Sequence, residues 1–351
     1  MKAAVLYEFG APLEICGDVE VPPLQRGQVL VRLAYSGVCQ SQLMEVRGRR
    51  GDDPFLPHLL GHEGSGLVVG LGPDVTKVMQ GDKVIIGWIR SSGIEAPVPS
   101  YTRGGEILNA GRVTTFNEYA VVSENRCIAL PDGVPLDVGV LFGCALPTGA
   151  GIVSNTMRPN PGASVAIIGV GGVGLSALLA MALFDCEMVI AVDISDDKLR
   201  LAADLGATHT VNARQCDPVE AIRELTKGRG VDFAVEAAGR SDTIEQAFAA
   251  VRREGGLCVF ASHPEAGARI TLDPFELICG KRISGTWGGA SNPDRDVPLF
   301  ADLYREGKLP LERLISHRYA LEDINEALED LEQHRTSRPL IEIDPSLANG
   351  S

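Results

Sequence analysis

Residues 164–193 read SVAIIGVGGVGLSALLAMALFDCEMVIAVD, and the reading of the rest of the chain starts from them. Val165 to Ile168 is a short apolar run rich in β-branched residues, as a buried parallel strand requires. It leads into Gly169-Val170-Gly171-Gly172-Val173-Gly174, which matches GxGxxG. An apolar stretch from Leu175 to Phe184 predicts a helix, and Met188 to Val192 a second strand that ends on Asp193. The acid stands 19 residues past Gly174. In such a unit the first glycine permits a tight turn. The second lets the backbone approach a pyrophosphate, and the third lets helix and strand pack closely. The helix N-terminus offers unpaired N–H groups and a positive dipole end to the phosphates. A carboxylate at the tip of the second strand accepts hydrogen bonds from the adenosine ribose and repels a 2′-phosphate, so the cofactor reads as NAD rather than NADP. Residues 165–184 carry no charge and would pass a crude membrane-span test. The four glycines of the turn and Asp185 immediately after the run oppose that reading.

Composition narrows the class. A chain of 351 residues predicts two domains with a core each. Its 45% hydrophobic and 22% charged residues are ordinary for a globular protein. A net charge of −14 with no basic block argues against nucleic acid and anionic membrane as partners. The first residues, MKAAVLYEFG, lack the apolar core of a signal peptide. The eight cysteines are scattered without a CxxC pair, which predicts reduced thiols and a cytoplasmic location.

Before residue 164 the pattern is that of half-buried strands. Lys2 to Tyr7, Gln28 to Leu33, Leu67 to Gly70, Lys83 to Ile86 and Phe116 to Val122 predict an antiparallel, barrel-like β domain. Trp88 to Thr115 is rich in Gly, Ser and Pro and reads as a long surface loop. After Asp193 strands and helices alternate. Helices are expected at Asp196 to Leu205, Pro218 to Thr226 and Ile244 to Arg252, with Ser195 or Asp197 as a cap for the first of them. Strands are expected at Thr210 to Asn212, Val231 to Glu236 and Gly256 to Ala261, which makes a doubly wound parallel sheet. The tail predicts amphipathic helices near 297–306 and 321–333 and a strand from Pro339 to Ile343, returning to the first domain.

Cys39, His62 and Cys144 are far apart in the chain, and each alone has an ordinary structural reading. Their surroundings are more specific: Gly37-Val38-Cys39-x-Ser41, Gly61-His62-Glu63-x-x-Gly66, Gly81-Asp82-x-Val84, Gly143-Cys144-x-x-x-Thr148-Gly149, then the glycine turn. With these motifs in this order the chain resembles, over nearly its whole length, the zinc-dependent alcohol dehydrogenase branch of the medium-chain dehydrogenase/reductase family. The resemblance implies an α/β architecture. A GroES-like, β-barrel-type catalytic domain would span 1–147 and 290–351, and a Rossmann nucleotide-binding domain 148–289. It implies one catalytic zinc held by Cys39, His62 and Cys144, with Glu63 nearby, either supporting the ligands from behind or acting as a transient ligand. Two thiolates and one imidazole leave a fourth position for water or substrate. Ser41 would take the alcohol proton. Thr148 would pack on the nicotinamide, and Gly169, Gly171, Gly172, Val173 and Gly174 would form the pyrophosphate turn. Asp193 and Lys198 would hold the ribose, and Arg338 the pyrophosphate. As bare sequence, Lys198 and Arg338 are also ordinary surface charges. Trp88 would line the substrate pocket or anchor its loop. A homodimer or homotetramer is implied, paired through edge strands near Ile283 to Trp287.

The chain departs from its relatives in places. No cysteine lies between Cys39 and Cys127, where many relatives bind a structural zinc, so no second zinc is expected. Gln42 replaces the usual acid behind the zinc-binding histidine, which would weaken the ligand. Met44 and Gln40 replace a proton-passing histidine and a pyrophosphate-binding arginine found in some relatives. The expected activity is hydride transfer between a primary or secondary alcohol, or its aldehyde or ketone, and NAD. Polyol or amino-alcohol dehydrogenation is the near alternative, and Cys144 weighs against it. Zinc-free NADPH quinone or enoyl reduction is the other, and Cys39, His62 and Asp193 weigh against that.

Overall fold

The computed structural model describes residues 1–348. The chain forms two compact units, Met1–Cys144 with Asn292 onward, and Ala145–Ser291. The second unit is one uninterrupted stretch inserted in the chain of the first.

The second unit holds a six-stranded sheet. Its order is His209–Asn212, Met188–Asp193, Ser164–Ile168, Phe233–Glu236, Leu257–Phe260, Arg282–Gly285. All five pairings are parallel. Ser164–Ile168 is buried at every residue, which explains its unbroken apolar run. The strand order reverses between Ser164–Ile168 and Phe233–Glu236, so the glycine turn sits at the switch point where such sheets bind ligands.

The charge-free stretch divides into that strand, the turn, and the helix Gly172–Met181. The helix starts three residues earlier than expected, inside the glycine turn. After Met181 the chain tightens, with Leu183 N–H donating to Ala180 O and Phe184 N–H to Met181 O. No single helix among the described residues is long and apolar enough to cross a membrane. Helix Ser241–Ala250 also stops early. Arg252 N–H donates to Val231 O and Val231 N–H to Ala250 O, and this bridge diverts the chain into extended backbone at Val251. The same bridge takes Val231 out of the strand Phe233–Glu236.

The first unit is built around the long strand Gln28–Gly37. It pairs antiparallel with Glu63–Leu71, with Tyr119–Ser123 and with the late strand Pro339–Glu342. Lys83–Gly87, Cys127–Ala129 and His317–Ala320 complete seven strands. A smaller antiparallel sheet joins Glu14–Cys16, Ala3–Leu6 and His58–Leu59. The tail helices are Pro293–Arg305 and Ile324–Glu332. The first begins early because the Asn292 side chain caps it, accepting from Asp294 N–H, and Pro293 stands at its first position. Helix Gln40–Val46 had no counterpart in the sequence reading.

The stretch 88–115 is not only a surface loop. Tyr101–Arg103 and Glu106–Leu108 form a hairpin, and Tyr101 and Leu108 are fully buried. Gly104 and Gly105 both have positive φ, 57° and 88°, as a two-residue hairpin turn demands. Ion pairs and caps hold the rest. Glu95 binds Arg126 and Arg112. Glu124 is 1% exposed and accepts from Thr76, Lys77 and Ile94 N–H at 2.9, 3.2 and 2.7 Å. Burial opposes its charge, but those three N–H groups outweigh burial and hold the carboxyl below its usual range. A carboxyl whose folded-state pKa is depressed stabilises the fold above its unfolded value, and the contribution is lost as pH falls through the folded value. Glu124→Gln is therefore expected to cost about 1–3 kcal/mol in urea unfolding at neutral pH. The gap to wild type should close as the buffer is made acidic, and a gap that holds steady down to acid would remove Glu124's charge from the account.

Candidate active site

Strand pairing assembles the first site. Ser36 stands opposite Gly64, and Glu63 opposite Gly87. Cys39 follows strand Gln28–Gly37 as the N-cap of helix Gln40–Val46, and His62 precedes strand Glu63–Leu71. Cys144 follows the 3-10 turn Val140–Gly143. The Cys39, His62 and Cys144 donor atoms all lie within 4.8 Å of one another. His62 Nε2 is 3.2 Å from Cys144 Sγ. The hydrogen bond from Cys144 holds the Cys39 thiol well below its usual range against the effect of burial, and Cys144 is raised by the same contact and by its own burial.

Glu63 lies behind this cluster with no exposed surface. Its Oε1 accepts from Arg338 Nη2, and its Oε2 is buried without a hydrogen-bond partner among the described residues. Burial raises its pKa in spite of Arg338 and His62. Arg338 is 4% exposed, so it is not a surface charge. Glycines clear the space for Glu63. A Cβ on Gly37 would lie 2.2 Å from Glu63 Oε1, and one on Gly143 would lie 2.8 Å from Glu63 Cβ. Nothing in the sequence names Glu63 as the neighbour of either glycine. Their signal was there, since each stands one or two residues before a cysteine of the cluster.

Ser41 Oγ is 3.5 Å from His62 Nδ1. Gln42 is 1% exposed and contacts the same ring, its Nε2 against Nδ1, while its Oε1 accepts from Cys39 N–H at 2.9 Å. Met44 is buried in helix Gln40–Val46, and Gln40 is exposed. Trp88 follows the residue opposite Glu63 and is half-buried; its carbonyl accepts from Arg126 Nη1.

The donor set fits zinc. Two sulfurs and one nitrogen form one of its catalytic ligand sets, with one position left open, and the orphaned Glu63 Oε2 is a further oxygen beside them. Among the described residues, this is the group of His, Cys, Asp and Glu side chains placed to hold a metal ion.

The second unit carries the other predicted residues. Gly169 has φ +87°, and a Cβ on Gly174 would stand 1.9 Å from Gly169 O, so the turn can close only with glycine there. Gly171 caps helix Gly172–Met181, whose first turn includes Val173 and holds no acid. Asp193 is locked to the turn. Its Oδ2 accepts from Val170 N–H at 2.9 Å, and its Oδ1 from Ile194 and Ser195 N–H at 2.8 and 3.1 Å. Ser195 is the N-cap of helix Asp196–Asp204, without a side-chain cap bond; Lys198 lies in that helix, half-buried. Thr148 Oγ1 is buried with no hydrogen-bond partner among the described residues. These features fit a dinucleotide: a glycine turn, a helix N-terminus free of acids, a fixed carboxylate and an unsatisfied hydroxyl.

The comparisons with known proteins agree with this geometry. Residues 25–132 match the alcohol dehydrogenase GroES-like domain, and residues 172–305 the zinc-binding dehydrogenase family. The chain is 30% identical to S-(hydroxymethyl)glutathione dehydrogenase of Paracoccus denitrificans, over 97% of this chain and 99% of that protein. It is 32% identical to alcohol dehydrogenase class-2 isozyme 2 of Oryctolagus cuniculus, over 97% of each. Among solved structures, benzyl alcohol dehydrogenase from Acinetobacter calcoaceticus superposes with a TM-score of 0.87 at 32% identity, over 97% of this chain and 99% of that one. The alcohol dehydrogenase of Aeropyrum pernix gives 0.82 at 29% identity, over 98% and 100%. With a GroES-like domain, a doubly wound parallel sheet and a Cys-His-Cys cluster in one chain, this protein belongs to the zinc-dependent medium-chain alcohol dehydrogenase family, oxidoreductases that act on CH–OH donors.

Proposed function

We propose that the chain is a zinc- and NAD-dependent dehydrogenase that oxidises a primary or secondary alcohol, or reduces the matching aldehyde or ketone. The observation that carries the proposal is the convergence of Cys39, His62 and Cys144 to within 4.8 Å from segments far apart in sequence. Bound there, zinc would polarise the alcohol oxygen and make its proton easier to remove. Ser41, half-buried beside His62, would accept that proton. Glu63 would offer its unpaired Oε2 to the same site while Arg338 holds its other oxygen. Asp193 and Lys198 would hold the adenosine ribose, and the Asp193 charge would repel a 2′-phosphate, which favours NAD. Thr148 would contact the nicotinamide through its unsatisfied hydroxyl. Arg338 would reach the pyrophosphate only through N–H groups that Glu63 leaves. Trp88 would line the substrate pocket. Two sulfurs and an imidazole have no use in a zinc-free quinone or enoyl reductase, and Cys144 in place of a carboxylate disfavours a polyol or amino-alcohol substrate.

The proposal includes one catalytic zinc per chain, a domain boundary at 147/148 and 289/290, and a small-molecule substrate with no nucleic-acid or membrane partner. The outer strand Arg282–Gly285, with Trp287 beyond it 78% exposed, suits pairing with a second copy in a dimer or tetramer. Eight cysteines standing as free thiols suit the reducing cytoplasm.

Purified without chelator, the protein is expected to carry about one zinc per chain by elemental analysis. Cys144→Ser should lose most of that zinc with little change in circular dichroism. Zinc near zero in wild type, or full zinc in the variant, would overturn the metal assignment. Asp193→Gly should raise activity with NADP relative to NAD across an alcohol panel, and an unchanged ratio would end the case for Asp193 as the cofactor selector.

A further inference from the structure

Gln42 occupies a position where its two amide atoms are both committed. Its Oε1 accepts from Cys39 N–H at 2.9 Å, the capping contact that starts helix Gln40–Val46. That bond settles which amide atom is which. A backbone N–H can only donate, so the amide cannot be turned over without setting NH₂ against N–H. The NH₂ group therefore faces His62 Nδ1. In the neutral ring a donor on that side makes Nδ1 the acceptor and leaves the proton on Nε2, 3.2 Å from Cys144 Sγ.

A metal between Cys39, His62 and Cys144 needs the opposite tautomer. Nε2 must give its lone pair to the metal, so the proton must move to Nδ1. There it meets the Gln42 NH₂, donor against donor. The other group facing Nδ1 is Ser41 Oγ, at 3.5 Å the outer limit of hydrogen-bond reach. Gln42 can offer its oxygen to Nδ1–H only by turning its amide so that the NH₂ group leaves the ring and Oε1 is shared with, or taken from, Cys39 N–H.

We propose that Gln42 is a positioning residue that holds His62 in the tautomer opposite to the one zinc binding needs, so that metal uptake forces its amide to turn its NH₂ group away from the ring. The inference rests on the zinc assignment above. A carboxylate of the same length would remove the conflict. In Gln42→Glu one oxygen would accept from Cys39 N–H and the other from Nδ1–H.

The test uses the full chain, stripped of zinc and titrated with zinc against a chromophoric chelator. Gln42→Glu is expected to bind zinc about tenfold or more tightly than wild type. Long-range ¹H–¹⁵N spectra of ¹⁵N-histidine protein provide a second readout that a merely structural role would not move. His62, identified by its loss in His62→Asn, should carry its proton on Nε2 in zinc-free wild type and on Nδ1 in zinc-free Gln42→Glu. A proton on Nδ1 in zinc-free wild type overturns the proposal, and so does a gain in affinity below about tenfold. Should Gln42→Glu not fold, the wild-type tautomer decides alone. A wild type that binds no zinc overturns the zinc assignment and this inference together. A wild type that binds one zinc per chain, with no effect of Gln42→Glu, overturns this inference only.

Discussion

A carboxylate sealed from water is the constraint around which the first unit is built. Glu63 has no exposed surface, and its counter-charge, Arg338, comes from the other end of the chain. Leaving such a carboxylate without its partner costs about 3–5 kcal/mol, a large share of the stability of an ordinary domain. The strands on either side follow from that need. Pro339–Glu342 must pair with Gln28–Gly37 to bring Arg338 to Glu63, and that pairing carries the sheet on to His317–Ala320. Gly37 and Gly143 must be glycine to leave room, and each stands one or two residues before a cysteine of the cluster. The three candidate metal donors thus stand where they do partly because a buried acid beside them needs space and an opposite charge.

The second unit was legible because its information is contiguous. Strand, turn, helix, strand and acid follow one another within 164–193, and each local preference agrees with the next. The parallel sheet, its helices and the contact of Asp193 with the turn are all local consequences of that stretch. Errors there fell at element ends, where a single long-range bridge such as Val231 to Val251 overrides propensity. Family, fold class and chemistry were also legible, but through resemblance across spaced motifs. Composition alone would have left Cys39 and Cys144 as two more small apolar residues.

What the sequence hid is the long-range partnering of polar groups. Nothing in Ser337-Arg338-Pro339 announces that the arginine is buried against an acid 275 residues earlier. The stretch 88–115 looked structureless because its order comes from contacts outside it: Tyr101 accepting from Val121 N–H, Glu95 on Arg126, Ile94 N–H on Glu124. Only Gly104-Gly105 between two short β-prone segments carried a local sign of the hairpin. Gln42 was visible as a departure from relatives, but its double engagement with Cys39 and His62 needs coordinates.

The reach from Glu63 to Arg338 also sets an order of events during synthesis. Residues 145–291 form one uninterrupted unit with all six of its strands, so it can complete its core while the ribosome is still at work. The first unit cannot. When Cys39, His62 and Cys144 have all emerged, Glu63 still lacks its arginine, and Gln28–Gly37 still lacks the neighbour that Pro339–Glu342 will supply. A nascent chain that has passed residue 291 but not reached residue 338 therefore holds a complete second unit and a first unit with an open strand edge, the kind of surface that chaperones bind.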